Sequence, residues 1–221
     1  MPKITKEDLE LINKYTRREL SAEEVYTFPL VLCTDQIDRD HERFDSAALD
    51  EMARLYVGKT VIRDHRPTAD NQTARIYRAQ VEDREGGGRQ LVAYAYLPVT
   101  ESTKDIIEQL DAGIKKEVSV GCSVSRAVCS VCGKQRGSCG HIGGREYSGS
   151  SCYFTLSGIT DVYEVSFVAV PAQPEAGVIK SCDITKTYIE DNKKTIEDQE
   201  LEDRLLEADI RNKERMTEYE H

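Results

Sequence analysis

The chain has 221 residues, which is enough for one core of about 150 residues with appendages and too few for two large domains. Its net charge of −10 at pH 7 argues against nucleic acid as the main partner, because an acidic surface repels phosphates. No apolar run approaches the roughly 20 residues that span a bilayer, and residues 1–30 lack the basic and apolar pattern of a secretory signal. These features predict a soluble intracellular protein without a membrane partner.

Apolar periodicity and turn residues predict the elements of the first part of the chain. A helix is predicted over residues 5–20, with Thr5 as its cap. The aromatic and β-branched segment 26–33 predicts a strand, and Pro29 places it at an edge or a bulge, because proline cannot donate a hydrogen bond to a neighbouring strand. A second short helix is predicted over residues 46–58, after a polar and acidic loop.

The rest of the core is predicted to be mostly β-structure. Further strands are predicted at residues 59–62, 75–81, 91–97, 117–128 and 163–170. A glycine turn at 86–88 joins two of them as a hairpin, and a third helix is predicted over residues 103–114. About seven short strands and a few helices, without alternation of strand and helix, predict an α+β, mainly β fold, namely a small antiparallel β-barrel flanked by helices.

The composition divides the chain into three parts. We predict an N-terminal helix within 1–25, a main domain at 26–180 that carries a cysteine-rich insert at 129–152, and a tail at 181–221. From Asp183 onward there are 13 acidic and 7 basic residues, which contribute −6 of the total charge of −10. Sparse apolar positions in such a segment predict a charged helix or a disordered tail rather than core.

Four of the seven cysteines cluster with a histidine in the insert. Cys129-x2-Cys132 is followed after six residues by Cys139-x-His141, with a glycine-rich turn between the pairs. Two short-spaced pairs of this kind can wrap four ligands tetrahedrally around one Zn²⁺, in the manner of a zinc ribbon. Cys152 is a fifth candidate, which can replace His141 as the fourth ligand.

The predicted metal site is structural. Four protein ligands close the coordination sphere of zinc, whereas a catalytic site keeps one position open for water, and no His-Glu-x-x-His arrangement is present. The insert is too small to bury a core of its own, so the metal would replace that stabilisation. An odd number of cysteines without a secretory signal argues against a disulfide framework, which leaves Cys33, Cys122 and Cys182 as small buried hydrophobic residues.

Two segments carry candidate groups for hydrolysis. His65 stands at the end of a predicted strand, where a rigid scaffold can present a catalytic base to substrate. In the strand predicted at 117–128, Ser119 and Gly121 lie on one face together with Ser123 and Ser125, by the period of two. A serine on such a strand and a histidine on a neighbouring strand could form a Ser–His pair. The same pattern also fits a surface histidine and a strand with one solvated face.

Four motifs follow one another in a distinctive order. They are Thr-Asp-Gln-Ile-Asp-Arg-Asp at 34–40, Arg-Asp-His at 63–65, Val-Ser-Val-Gly-Cys at 118–122 and Tyr-Glu-Val-Ser-Phe-Val-Ala-Val-Pro-Ala-Gln-Pro-Glu-Ala at 163–176. In this order they resemble the prohead (procapsid) maturation serine protease family of tailed phages. The resemblance covers residues 26–180, and the last motif is the most specific. The cysteine-rich insert is similar to a variant found in phages of Gram-positive hosts.

The resemblance implies a fold and an active site. The fold would be similar to that of the herpesvirus maturational protease, a β-barrel surrounded by helices. His65 matches the histidine that acts as general base, and Ser119 matches the nucleophile. The third member, which would orient His65, is Glu164, with Asp35 or Asp40 as alternatives.

The resemblance also implies an activity and a location. The chain would be a serine endopeptidase that cleaves scaffold and capsid protein segments, and finally itself, inside an assembling procapsid in the host bacterial cytoplasm. Its partners would be phage capsid and scaffold proteins and further copies of itself. Two other functions are open: a non-catalytic, zinc-stapled capsid assembly or scaffold protein that retains the protease fold, and a metallohydrolase in which Cys139, His141 and Cys152 leave zinc an open position.

Overall fold

The fold is known from a computed structural model, which describes residues 4–180. The charged tail predicted at 181–221, with Cys182, lies outside the described residues. The α-helices of the described range are α1 Lys6–Asn13, α2 Ser46–Tyr56 and α3 Lys104–Asp111. α1 is shorter than predicted, because the Asn13 side chain donates to the Leu20 carbonyl and accepts from the Leu20 N–H, which turns the chain after the helix.

The described range has ten strands where about seven were predicted, and several differ in length from the prediction. They are β1 Val25–Thr34, β2 Glu42–Phe44, β3 Thr60–Arg63, β4 Ala74–Asp83, β5 Arg89–Pro98, β6 Val118–Cys129, β7 Glu146–Tyr147, β8 Ser150–Ser151, β9 Phe154–Phe167 and β10 Gly177–Val178. β9 begins nine residues before the strand predicted from Tyr163. It continues through Gly158, which has φ of +65°, and its pairing with β6 shifts register between Ser123 and Val124.

Eight of these strands form one sheet, so the chain is α+β and mainly sheet, as predicted. The order is β10-β1-β5-β4-β3-β9-β2, and β6 pairs with β9 off this path. The predicted barrel is wrong, since the sheet does not close: β10 reaches only the residue before β6, through one isolated bridge between Glu117 and Gly177. Most pairs are antiparallel, but β2 and β3 run parallel to β9.

β1 lies inside the sheet and not at its edge, but its pairing with β5 has a register shift between Val31 and Cys33, so the bulge that was the other predicted possibility lies close to Pro29. It pairs with β5 along its whole length and with β10 only at Leu30 and Val31. On the edge of β1 that faces away from β5, the Pro29 carbonyl accepts a hydrogen bond from Ile179 N. Proline has no N–H to donate, and no donor is needed at this position.

The core packs the sheet against the helices. Its largest fully buried side chains include Leu30, Leu32, Leu49, Met52, Tyr56, Ile62, Ile76, Leu91 and Leu97. α2 contributes three of them, and each such side chain stabilises the fold by about 1.5–3 kcal/mol through burial. α2 packs on β4, β5 and β9, and thereby holds the strand that carries the candidate site.

Candidate active site and metal centre

β9 brings two of the predicted segments side by side. On one side it pairs with β3, where Ile62 is opposite Ser166, and on the other side with β6, where Ser119 is opposite Ser166. Directly opposed residues project from the same face of a sheet, with Cβ atoms about 4.5–5.5 Å apart. Ser119 and Ser166 therefore share a face, and Glu164, two residues earlier in β9, lies on that face as well.

A closed ring of hydrogen bonds holds His65 over this face. His65 Nδ1 lies 2.8 Å from Glu164 Oε1, the Ser166 hydroxyl donates to Glu164 Oε2 at 2.6 Å, and the His65 backbone N–H donates to Ser166 Oγ at 3.0 Å. An ionised carboxylate can only accept, so Nδ1 is the donor in this contact. In the neutral imidazole, Nε2 then carries the lone pair that can take up a proton.

The backbone at His65 adopts an unusual conformation. Asp64 and His65 have φ of 53° and 51°, in the left-handed region that residues other than glycine seldom adopt. The Asp64 N–H donates to the Phe167 carbonyl at 3.0 Å, which extends the pairing of β3 and β9 before the chain turns. Such residues cost about 1–3 kcal/mol and cluster at functional sites. The turn directs the His65 ring back over β9.

The two hydroxyls near this ring differ in their surroundings. Ser166 is fully buried and its hydroxyl is committed to Glu164, so it positions the carboxylate rather than reacting. Ser119 is half-buried, and its hydroxyl makes no hydrogen bond to any of residues 4–180. Within the same range no hydrogen bond joins Ser119 to His65, and their connection runs through β9.

The glycine of the Ser-x-Gly motif, Gly121, is required for a steric reason. It lies opposite Glu164, and a Cβ at this position would come within 2.5 Å of Glu164 Oε1, the oxygen that contacts His65. A side chain at 121 would therefore displace the carboxylate. The Tyr56 hydroxyl donates to the Gly121 carbonyl at 3.2 Å and ties β6 to α2.

We expect Gly121→Ala to lower the free energy of unfolding by about 1–3 kcal/mol, because the added methyl group collides with Glu164. In a Glu164→Ala background the same substitution should cost close to nothing, since the colliding oxygen is gone. Urea denaturation of the wild type, the two single variants and the double variant measures the coupling. Equal destabilisation in both backgrounds would show that the added methyl group does not collide with Glu164.

The other two candidate carboxylates lie away from His65. Asp35 accepts hydrogen bonds from a neighbouring glutamine side chain and from the Arg89 backbone N–H. Asp40 is exposed in the loop between β1 and β2. Among residues 4–180, neither is hydrogen-bonded to His65, and the carboxylate that contacts this histidine belongs to Glu164.

Ser166 is the site residue that the sequence analysis missed. A signal for it existed, because Glu164 and Ser166 are two residues apart in the Glu-Val-Ser motif, and such a pair shares one face of a strand. Its second contact, with the backbone of His65, joins residues 101 positions apart. No local pattern predicts that contact.

The predicted metal ligands come together at the end of β6. One ligand atom each from Cys129, Cys132, Cys139 and His141 lies within 4.8 Å of all the others, so that these residues could hold one metal ion. The turn between the first two is closed by a hydrogen bond from Gly133 N to the Cys129 carbonyl at 2.9 Å. Three thiols and one imidazole are a donor set typical of a tetrahedral site.

Cys152 is a close neighbour of this cluster. Its buried Sγ lies 3.8 Å from Cys129 Sγ. Burial raises the pKa of Cys129, but hydrogen bonds from the backbone N–H groups of Cys132 and Val131 and from the thiols of Cys132 and Cys152 outweigh burial and lower it to about 6. The thiolate is the form that binds metal. The mutual distances favour His141 as the fourth ligand, with Cys152 as a hydrogen-bond partner of Cys129.

The insert is fastened to the segment that joins β1 and β2. Arg136 forms an ion pair with Glu42, and its guanidinium lies 4.3 Å from the centroid of the Phe154 ring. The ring of His41 packs against Gly144, where a side chain would collide with it. The His41 carbonyl also accepts a hydrogen bond from Phe154 N. These contacts place the insert next to the acidic loop of the main sheet.

The scattered cysteines differ in exposure. Cys33 is buried, as predicted, and burial raises its pKa well above the ordinary value. Cys122 is only half-buried, and burial raises its pKa to about 11. Both thiols are therefore protonated near neutral pH and are poor nucleophiles.

Comparison with known proteins identifies no relative of this chain. The chain matches no known family model, no curated protein and no solved structure. Among residues 4–180, no helix combines the length and the apolar composition that crossing a membrane requires.

Proposed function

We propose that this chain is a serine endopeptidase of the prohead maturation type, with Ser119 as the nucleophile, His65 as the general base and Glu164 as the group that orients His65. The observation that carries the proposal is the ring of hydrogen bonds among His65, Glu164 and Ser166, on the face of the sheet that Ser119 shares. A histidine oriented by a buried carboxylate, next to a serine hydroxyl that has no hydrogen-bond partner within residues 4–180, is the arrangement that acyl-transfer hydrolases use.

The chemistry follows from these contacts. Ser119 Oγ attacks a peptide carbonyl while His65 Nε2 accepts its proton, and the proton then passes to the leaving amine. Water hydrolyses the acyl-enzyme in a second step with the same base. The Glu164 side chain is only 10% exposed, so its negative charge is weakly screened and stabilises the imidazolium that forms on His65. The missing hydrogen bond between Ser119 and His65 would form when substrate binds, as catalytic contacts often do.

The order of the four sequence motifs supports phage scaffold and capsid proteins as substrates, cleaved during assembly of the procapsid in the bacterial host. The same proteins are the proposed partners, together with further copies of the chain. A proposed self-cleavage would remove part of the tail at 181–221.

We propose zinc as the metal and a structural role for it. Three thiols and an imidazole suit Zn²⁺, and four protein ligands leave no position open for a catalytic water. This argues against the metallohydrolase. The buried apolar cluster at the insert consists of Cys129 and Cys152 with Phe154 of β9, so two thiols supply much of it and a metal would supply the remaining stabilisation.

A fluorophosphonate probe tests the proposal. Ser119 Oγ would attack phosphorus, fluoride would leave, and the probe would stay covalently on Oγ. Tandem mass spectrometry should find the label on Ser119 in the wild type, none in Ser119→Ala, and labelling about 10²–10⁴-fold slower in His65→Ala.

Ser123→Ala is the matched control for that experiment. Ser123 lies on the same face of β6, but its hydroxyl is hydrogen-bonded to Thr160 Oγ1 at 2.6 Å, so the variant should label like the wild type. Labelling at another serine, or an unchanged rate in His65→Ala, would contradict the assignment.

A non-catalytic, metal-stapled assembly protein is the second candidate function. The observation that favours it is the absence of a hydrogen bond between Ser119 and His65 within residues 4–180, since these residues belong to segments on opposite sides of β9. In this case the probe would leave Ser119 unlabelled, while the protein would still bind capsid or scaffold protein.

A further inference from the structure

One edge of β6 has no strand partner over most of its length, between two isolated bridges near its ends. On the side away from β9, Glu117 bridges to β10, and Val128 bridges to Gln135 of the insert. Between these two points, over 119–126, no strand of the described range pairs with this edge. The interval is about 25 Å long at about 3.3 Å per residue. Apart from the Gly121 carbonyl, which accepts from Tyr56, the backbone groups of this interval that point away from β9 have no hydrogen-bond partner within residues 4–180 and can pair with an added chain.

A cavity of about 290 Å³ lies along this open edge. It is lined by the apolar face of β6, namely Val120, Cys122 and Val124, with Phe44 among the residues across from them. These three residues of β6 are only half-buried although they are apolar. Ser119 also lines the cavity. The volume is just below the range of about 300–1,000 Å³ for ligand sites, and suits one or two side chains rather than a cofactor.

The rim of the cavity is acidic. Asp38, Asp40 and Glu42 line it together with one cation, Arg136, which is paired with Glu42. The Asp38 carboxylate accepts the backbone N–H groups of Asp40 and Glu42 and so shapes the loop. Asp40 is exposed, and its carboxylate accepts no hydrogen bond from residues 4–180. A cationic side chain beside an apolar one would complement this rim and the cavity below it.

We propose that this groove binds an extended peptide segment, which adds a strand to the open edge of β6, places an apolar side chain on Cys122 and brings a lysine or arginine to Asp40. The proposal rests on the proposed function and deepens it by naming the substrate class, an unfolded segment with a basic residue next to an apolar one. Main-chain hydrogen bonds supply affinity, and the cavity and its rim supply specificity. Ser119 stands at one end of the groove, and Arg136 of the metal-binding insert at the other.

Peptide binding to a Ser119→Ala variant tests the groove without turnover. The probes are fluorescein-labelled ten-residue peptides, in which a central leucine is flanked by lysine, glutamine or glutamate, and the readout is fluorescence polarisation. The lysine peptide should bind most tightly and the glutamate peptide least. Asp40→Asn should weaken the lysine peptide about two- to fivefold and leave the glutamine peptide unchanged, as expected for an exposed charge pair.

Filling the cavity gives a larger effect. Cys122→Phe should weaken all three peptides at least about tenfold, because the ring occupies the space of the bound side chain. Val99→Phe, at an exposed position outside the cavity, is the matched control and should bind like its parent. Equal affinity for the three peptides, or full affinity in a folded Cys122→Phe variant, would overturn the proposal.

A second measurement does not depend on the folding of a variant. Only alternate residues of an added strand point their N–H groups at β6, so N-methylation of one alternate set should abolish binding and methylation of the other should spare it. Equal effects of both sets would exclude strand addition. If the wild type binds the peptides selectively but cleaves none of them, the proposed protease activity is contradicted and the peptide-binding groove is supported. If it cleaves peptides regardless of their sequence and of the Cys122→Phe change, the protease activity is supported and the groove is contradicted.

Discussion

Ser119→Ala and His65→Ala should each reduce cleavage of the proposed substrates, phage capsid and scaffold proteins, by about 10⁴-fold or more, while the protein stays folded. The first change removes the proposed nucleophile, and the second removes the base proposed to activate it. Neither side chain contributes to the buried core. Incubation of each variant with the substrate proteins, followed by mass spectrometry of the products, measures the loss.

The result can be separated from a general loss of structure. Ser123→Ala changes a hydroxyl on the same strand face, four residues along β6, and should cleave like the wild type. Glu164→Gln keeps the shape of the side chain but removes its charge, and should cost about 10²–10⁴-fold in turnover. Cleavage that persists in Ser119→Ala would exclude Ser119 as the nucleophile, whereas a folded wild type that cleaves neither protein would leave the assembly protein as the function.

Removal of the metal should unfold residues 129–152 and leave the eight-stranded sheet folded. The main core is one continuous cluster of buried side chains, whereas the insert buries a separate cluster of three, two of which are cysteines near or within the metal site. Without the metal little apolar burial remains to offset the chain entropy of the insert. Hydrogen exchange should lose protection in the insert and keep it in β1 and β5 after treatment with a chelator.

The proposed metal site can be tested by comparing a cysteine variant within the cluster with a cysteine variant outside it. Cys129→Ser should lose the proposed bound zinc, measured by elemental analysis, whereas Cys122→Ser changes a thiol outside the cluster and should keep one zinc per chain. His141→Ala should lower zinc affinity more than Cys152→Ser, because His141 belongs to the mutually close set. Loss of cleavage with the insert still protected from exchange would instead indicate a catalytic metal.

Most of what the sequence predicted correctly depends on neighbours in the chain. The period of two in 117–128 identified β6 and its small polar face, and the glycines at 86–88 identified the hairpin of β4 and β5. The Cys-x2-Cys and Cys-x-His spacings identified the cluster that could bind a metal ion, because its four side chains lie within 13 residues, from Cys129 to His141. Each pattern is local, so the backbone geometry of one element was enough to interpret it.

Tertiary structure decided the features that join distant parts of the chain. The contact of His65 with Glu164 spans 99 positions, and the choice of this carboxylate over Asp35 and Asp40 depends on the parallel register of β3 on β9. The open edge of β6, where a closed barrel was predicted, depends on how short β10 is and where it pairs. Composition and spacing determine which residues form a strand and which face they share, but the register between strands is set by packing across the whole sheet.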